Sequence, residues 1–254
     1  MNNAKIPVHD DPRRHFAKRA RKYNYSSNWV NDRLLIRKMR DLAKTGGEAK
    51  VLDIAIGTGK ISQAFRGFAK YVVGIDISSE MARQAKTRAD RVILARAERL
   101  PFKNNVFDAC VCRQGMQFMQ LNAVLSEIRR VLKPGGRVVL CHLSAYGRRD
   151  KPEAFLIQRL RNPARKNFFL PQDFPQLLKE RSFKGVRSFT YITRESVNRW
   201  INNGALDKER MRRIKQVYAG SSGAFKKIHN IEFKGGDIFD SMKMVIVKAK
   251  KEGV

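Results

Sequence analysis

Two aspartates and two glycines in the stretch Lys50–Asp76 have the spacing of a nucleotide-binding turn. Gly57 and Gly59 let the backbone approach a ligand closely, and the helix predicted after them begins with unpaired N–H groups. Asp76 follows a second β-rich run, where a carboxylate suits a bidentate hydrogen bond to the two hydroxyls of a ribose. This spacing predicts a site for a ligand that contains adenosine.

Asp53 narrows the choice of adenosine ligand. It lies at the end of the first predicted strand, four residues before Gly57. A carboxylate there repels a pyrophosphate but attracts an ammonium group, directly or through water. S-adenosylmethionine combines ribose, adenine and an ammonium group. A dinucleotide is the weaker interpretation, since the pattern G-x-G-x-x-G/A would need Ser62 in its third position.

Strands and helices alternate around these residues. Apolar runs at 51–54 and 71–75 predict two strands. Between them, one helical face carries Ile61, Ala64, Phe65 and Phe68. Further β-rich runs at 91–96, 107–112, 138–143, 185–192 and 241–250 alternate with helical patterns, among them 120–132 and 174–183. The alternation predicts an α/β fold with a doubly wound sheet.

Three runs resemble the motifs of the class I S-adenosylmethionine-dependent methyltransferases. D-I-A-I-G-T-G at 53–59 is similar to motif I, with Ala55 in place of its first glycine. R-A-E-R-L-P-F at 96–102, followed by V-F-D, and R-R-V-L-K-P-G-G at 129–136 resemble the branch of quinone-biosynthesis C-methyltransferases and the biotin-pathway carboxyl methyltransferase. Arg96 departs from that pattern, because the family usually has an acid there that faces the adenine amino group.

The resemblance implies a seven-stranded, mostly parallel Rossmann-like sheet with an N-terminal helical lid and an insertion before the last strand. It divides the chain into a lid at 1–47, an S-adenosylmethionine-binding core at 48–147, and a substrate-side cover with the C-terminal strands of the same domain at 148–254. The implied cofactor is S-adenosyl-L-methionine, with S-adenosyl-L-homocysteine as product. The residues expected to bind it are Asp53, Ala55, Gly57, Gly59, Asp76, Ile77, Met81, Ala97, Glu98 and Arg113.

The family's reaction is an in-line attack on the sulfonium methyl, which depends mainly on alignment and on exclusion of water. His142, at the end of the fifth strand, is a candidate general base, and Gln117 is a candidate for orienting the substrate. A histidine that only hydrogen-bonds and a glutamine that only closes a turn are the alternatives. The run H-F-A-K-R-A-R-K-Y-N-Y at 15–25 resembles a segment that folds over the cofactor in related enzymes. Lid or substrate contacts are expected from Tyr23, Tyr25, Trp29 and Gln114, while packing onto the sheet explains the aromatic residues equally well.

The chain is strongly basic, with 53 Lys and Arg against 23 Asp and Glu and a formal net charge of +30. The flanks 12–40 and 148–166 would attract an anionic small molecule, an anionic lipid surface or nucleic acid. A solvated basic surface without a partner explains the charge as well. A small-molecule or lipid-like acceptor is favoured over RNA, because C-R-Q-G-M-Q-F at 112–118 lacks the N/D-P-P-Y/F motif of amino-methylating RNA enzymes.

Other features of the sequence indicate a cytoplasmic protein. No apolar run approaches the ~20 residues that span a bilayer, and the first residues lack the apolar segment of a secretory signal. Cys110, Cys112 and Cys141 fall in predicted strands. We therefore expect buried, reduced thiols and no metal site.

Overall fold

The computed structural model describes residues 11–253, so the first ten residues of the expected lid lie outside the described residues. The strands are β1 Lys50–Ile54, β2 Tyr71–Asp76, β3 Arg91–Leu94, β4 Phe107–Arg113, β5 Leu132–Leu143, β6 Phe183–Ser196, β7 Glu232–Lys234 and β8 Asp237–Lys251. The α-helices are α1 Pro12–Arg19, α2 Asn28–Asn31, α3 Arg33–Ala43, α4 Lys60–Phe65, α5 Ser79–Ala85, α6 Leu121–Val131, α7 Lys151–Arg161, α8 Asp173–Glu180, α9 Val197–Ile201, α10 Lys208–Ala219 and α11 Gly223–Ile228.

The strands form one sheet in the order β3-β2-β1-β4-β5-β8-β6, with β7 paired to β8. The first five of these strands are parallel. β8 is antiparallel to both β5 and β6. The predicted doubly wound, mostly parallel sheet is confirmed, and its last strand is the antiparallel one. The insertion before that strand holds α9 to α11 and adds the short β7, which the sequence pattern did not predict.

Alternate residues of the central strands fill two separate cores, one on each face of the sheet. Val51 and Val139 pack against the N-terminal helices, whereas Leu52 and Val138 pack against α6 and α8. Strands buried on both faces read as continuous apolar runs, which is why the sequence predicted them well. The three cysteines are free and buried in β4 and β5.

Helices α2 and α3 are separated at Asp32. Asp32 has an extended backbone, and its side chain accepts a hydrogen bond from the Leu35 amide (3.0 Å), so it ends α2 and caps α3. Its other carboxylate oxygen accepts a hydrogen bond from the Tyr191 hydroxyl on β6 (2.6 Å). The interruption lets Trp29 turn inward, where it is 3% exposed.

Helix α4 is shorter than predicted. It ends at Phe65, just before Gly67, whose φ of 80° lies in the left-handed region. The prediction that Phe68 continues the buried face is wrong. Its side chain is half-exposed, and the Arg40 guanidinium lies 3.9 Å from the centre of its ring.

Helices α7, α10 and α11 cover the sheet near β8 and are joined by a buried charged network. The two ring nitrogens of His229 form hydrogen bonds to two carboxylates, Nδ1 to Asp240 (2.8 Å) and Nε2 to Asp150 (3.0 Å). The Tyr218 hydroxyl donates to the second oxygen of Asp240 at 2.7 Å. Within residues 11–253, no helix is both long and apolar enough to cross a membrane.

Candidate active site

The larger of two neighbouring cavities lies at the carboxyl edge of the sheet, where β1, β2 and β4 end, and has a volume of about 110 Å³. Ligands bind at this edge in open α/β sheets. Its lining includes most of the residues expected to bind the cofactor, namely Ala55, Gly57, Asp76, Ile77, Met81, Ala97, Glu98 and Arg113.

Asp76 presents a carboxylate that is already held in place. One oxygen accepts from the Gly57 amide and the other from the Ser78 amide, both at 2.9 Å. Burial raises the pKa of this carboxyl group, and the amide hydrogen bonds work against that rise. Each oxygen keeps a lone pair for a further donor, so the group fits the two hydroxyls of a ribose.

The turn after β1 has a left-handed backbone at Ala55 (φ 55°) and Gly57 (φ 57°). For Ala55 this conformation costs roughly 1–2 kcal/mol. Gly59 lies at a close contact between two helices, and its expected contact with the cofactor stays a prediction. A Cβ added there would lie 2.9 Å from Cβ of Arg88 and 3.2 Å from Cα of Ala85, so Gly59 lets α4 and α5 approach each other and does not line the cavity.

Asp53 lies behind this turn and is 2% exposed. It accepts hydrogen bonds from the Ser62 amide (3.1 Å) and hydroxyl (2.7 Å), which anchors the first turn of α4. Burial raises its pKa to about 7, against the opposing effects of Ser62 and Arg113. It does not line the cavity, and its expected contact with an ammonium group stays a prediction.

The end of the cavity expected to receive adenine is lined by Ile77, Met81 and Ala97 together with Glu98. Glu98 accepts a hydrogen bond from the Gln120 amide at 3.2 Å, and its other oxygen lies 3.6 Å from Nε of Arg96. Arg96, which departs from the family pattern, therefore places a cation beside the Glu98 carboxylate at this end of the cavity. The cavity has apolar walls at one end and the Asp76 carboxylate, which suits a ribose, at the other. This lining fits S-adenosylmethionine.

The N-terminal segment closes over the cavity and is fastened to it from several sides. Thr58 in the glycine turn donates to the Asn24 side chain at 2.7 Å. Gln84 on α5 donates to the Ala20 carbonyl at 2.8 Å. Arg113 at the end of β4 donates to the carbonyls of Trp29 (2.9 Å) and Val30 (3.2 Å). These contacts agree with a lid, although the division of the chain at 47 and 147 stays a prediction.

A second, enclosed cavity continues from the first and shares Phe16, Tyr23, Gln114 and Phe118 with it. With the lid in this position its volume is about 20 Å³, which is enough for a water molecule. Its remaining walls come from the lid, the turn after β4, β5, α7, the segment after α7, and α9. They are Arg19, Trp29, Gln117, Leu143, Gln158, Arg161, Asn162, Arg165 and Trp200.

Gln114, Gln117 and His142 form a chain that leads away from this cavity. Gln117 donates to the Gln114 carbonyl at 2.7 Å, and its side-chain oxygen lies 3.1 Å from Nδ1 of His142. Gln117 lines the second cavity, but His142 lines neither of the two. Its ring is 1% exposed and stacks on Phe174 at 4.8 Å. Burial holds its pKa well below the ordinary value, and its expected role as a general base stays a prediction.

The three aromatic residues expected in the lid differ in their position relative to the two cavities. Tyr23 lines both cavities, and its ring would lie 3.9 Å from a Cβ added at Gly57. Trp29 lines only the second cavity. Tyr25 is 78% exposed and lines neither, because the single turn Tyr23–Tyr25 sends the two tyrosines in different directions.

Several lining residues were not predicted from the sequence. Phe16 and Phe118 pack edge to face at 5.0 Å and form part of the shared wall. Phe16 carried a signal, as it belongs to the aromatic run of the expected lid. For Arg161 and Arg165 the sequence gives no signal of a place in the cavity wall, apart from the basic character of their segment. No sequence pattern links α7 to the first two strands.

Comparison with known proteins agrees with the geometry. Residues 52–140 match the family model described as a methyltransferase domain. A demethylmenaquinone methyltransferase from Streptomyces avermitilis is 35% identical over 131 residues, which are 49% of this chain and 57% of that relative. An uncharacterized protein from Methanocaldococcus jannaschii is 28% identical over 183 residues, 71% of this chain and 86% of that relative. The chain thus aligns with little more than half of the Streptomyces enzyme.

The same fold is present in solved structures. The YcgJ protein from Bacillus subtilis has a TM-score of 0.79 at 22% identity, covering 86% of this chain and 98% of that one. The sheet order and the carboxylate beside a glycine turn define a Rossmann-like nucleotide-binding enzyme. Together with the matched domain, they identify residues 52–140 as a class I S-adenosylmethionine-dependent methyltransferase domain, as the motifs predicted, and S-adenosylmethionine as the cofactor of that domain.

Proposed function

We propose that the chain methylates a small-molecule or lipid-like acceptor that binds in the second cavity after the N-terminal segment moves outward, since the present volume of about 20 Å³ holds only a water molecule. The observation that carries this proposal is the enclosure of that cavity directly beside the cofactor cavity. All its lining residues except Phe16 and Tyr23 are buried. An acceptor held there is shielded from water and adjacent to the shared wall at Gln114.

The bound cofactor supplies an electrophilic methyl group. The chain's own contribution is to position the acceptor, since alignment of the reacting atoms provides a large part of the rate enhancement in such transfers. Gln117 is fixed by His142 and Gln114, so it can orient the acceptor with little loss of side-chain freedom. Among the described residues that line the second cavity, none is His, Asp, Glu, Lys or Cys. This lining suits an acceptor whose attacking atom needs little help to lose a proton.

RNA, the alternative suggested by the charge, is less well supported. One exposed basic cluster, Lys44, Arg137, Arg187, Lys248 and Lys250, surrounds a surface groove. Arg137 pairs with Lys250 near the start of the parallel part of β5. This cluster therefore lies at the edge of the sheet opposite the cofactor, where bound RNA would not reach the methyl group. A cytoplasmic location remains part of the proposal, in keeping with three free thiols.

The test uses methyl-labelled S-adenosylmethionine with the full chain, offered separately to metabolite, lipid and RNA fractions. We expect label in the metabolite or lipid fraction and a shallow dependence of kcat/KM on salt. The Asp76→Ala variant is the control for label that does not depend on the cofactor site. Label in RNA alone, with a log–log salt slope of about −0.7 per contacted phosphate, would overturn the proposal.

A further inference from the structure

Three buried arginines meet at the second cavity. Arg19 at the end of α1 is 3% exposed, Arg161 at the end of α7 is 6% exposed and Arg165 is 8% exposed. All three line the cavity, and among residues 11–253 no acidic residue does. Arginines are rarely buried unless they are paired with an anion, so this concentration of positive charge needs an explanation.

The hydrogen bonds of the three guanidinium groups are incomplete. Nε of Arg161 donates to the Trp200 carbonyl at 3.2 Å, and one Nη of Arg165 donates to the Asn167 carbonyl at 3.3 Å. Among the described residues there is no partner for Nε and Nη2 of Arg19, Nη2 of Arg161 or Nε of Arg165, all of them buried. Four charged donor nitrogens are thus available at one place.

Aromatic rings hold these groups in position without neutralising them. The guanidinium of Arg161 lies 4.3 Å from the centre of the Trp200 ring. That of Arg19 lies 5.3 Å from the Phe16 ring and 5.2 Å from the Tyr23 ring. Within residues 11–253, none of the three arginines forms an ion pair with a carboxylate.

Burial of these positive charges changes the acid–base properties of the groups. Burial, and then the nearby Arg19 and Arg165, hold the pKa of Arg161 well below its ordinary value. Burial lowers the pKa of Arg165 to about 9. Burial, followed by the charges of Arg19 and Arg161, lowers the pKa of the adjacent His15 to about 2. A buried unpaired charge is costly, and a bound anion would remove that cost.

We infer that Arg19, Arg161 and Arg165 form a subsite for a multiply charged oxyanion, such as a phosphate or diphosphate group, carried by the methyl acceptor. This inference rests on the proposed function only in placing the acceptor in the second cavity. Guanidinium groups bind phosphate and carboxylate oxygens through paired N–H donors. Three cations match an anion of two or more charges, whereas a single carboxylate leaves positive charge in excess.

The position of the subsite defines the shape of the acceptor. The arginines line the second cavity alone, whereas Tyr23 and Gln114 line both cavities. An acceptor with its oxyanion on the arginines therefore extends its other end toward the cofactor. The anion anchors the molecule, and the atom to be methylated lies at the opposite end.

Tryptophan fluorescence provides a direct test, because the chain has two tryptophans and both line this cavity. Inorganic phosphate, pyrophosphate and succinate are each titrated into the full chain with S-adenosylhomocysteine present, at constant ionic strength. We expect a saturable fluorescence change with at least one of these anions. The affinity should fall tenfold or more in Arg161→Gln, and in Arg19→Gln or Arg165→Gln if the first variant fails to fold.

Arg187→Gln is the matched control, as it removes an exposed arginine from the distant basic cluster and should leave the affinity unchanged. Binding of phosphate or pyrophosphate alone identifies a phosphate site, and binding of succinate alone a dicarboxylate site; either supports the subsite. No saturable binding of any of the three, or equal weakening in Arg187→Gln, would overturn it. Methylation of RNA with anion binding intact would instead refute the proposed function and leave the subsite standing.

Discussion

Replacing His229 by glutamine should remove a pH-dependent part of the free energy of unfolding. The ring lies between Asp150 and Asp240 and is 5% exposed. Burial opposes the charged form, but the hydrogen bonds to the two carboxylates outweigh it and raise the pKa of His229 to about 9. In the unfolded chain the same group has a pKa of about 6.5.

The direction of the effect follows from these two values. Below pH 6.5 both states carry the proton and the stabilisation is complete. As the pH rises from 6.5 through 9, the unfolded chain releases the proton while the folded chain retains it, so stability is lost. The difference between the two pKa values corresponds to about 3 kcal/mol, at about 1.4 kcal/mol per pH unit.

Urea unfolding of the wild type and of His229→Gln between pH 6 and 9.5 measures this contribution. The gap in free energy between the two proteins should shrink by about 3 kcal/mol across that range. Other groups that titrate there, such as Arg165 with its pKa lowered to about 9 by burial, are present in both proteins and cancel in the comparison. A gap that stays constant with pH would refute a charged His229 in the folded state.

Further predictions concern the cofactor and the lid. Asp76→Ala should weaken S-adenosylmethionine binding by about 1.5–3 kcal/mol, the value of hydrogen bonds to a charged group; calorimetry measures the loss, and exposed Asp41→Ala is the control. Unchanged affinity in a folded Asp76→Ala protein would contradict the ribose assignment. Tyr23→Ala should lower kcat/KM because this ring lines both cavities, while the 78% exposed Tyr25 should tolerate alanine. Equal losses in the two tyrosine variants would show that Tyr23 has no special place in the site.

The part of the site that could be predicted from the sequence is the part built from one continuous stretch. Asp76 and Gly57 are brought together by adjacent parallel strands, whose apolar runs and connecting turn are local signals. His142 was predicted at the correct strand end, but the contacts of its ring depend on α8, which packs there from a distant part of the sequence. Arg161 escaped prediction for the same reason, because only the folded chain brings α7 beside the lid.

The closing segment has a kinetic consequence. Phe16 and Tyr23 belong to the walls of both cavities, so for an acceptor bound as proposed we expect spent cofactor and methylated product to leave through the same movement of residues 11–31. Release of the spent cofactor and release of the product would then both depend on one opening of this segment in each catalytic cycle. Turnover then cannot be faster than the opening of this segment, however quickly the methyl group is transferred.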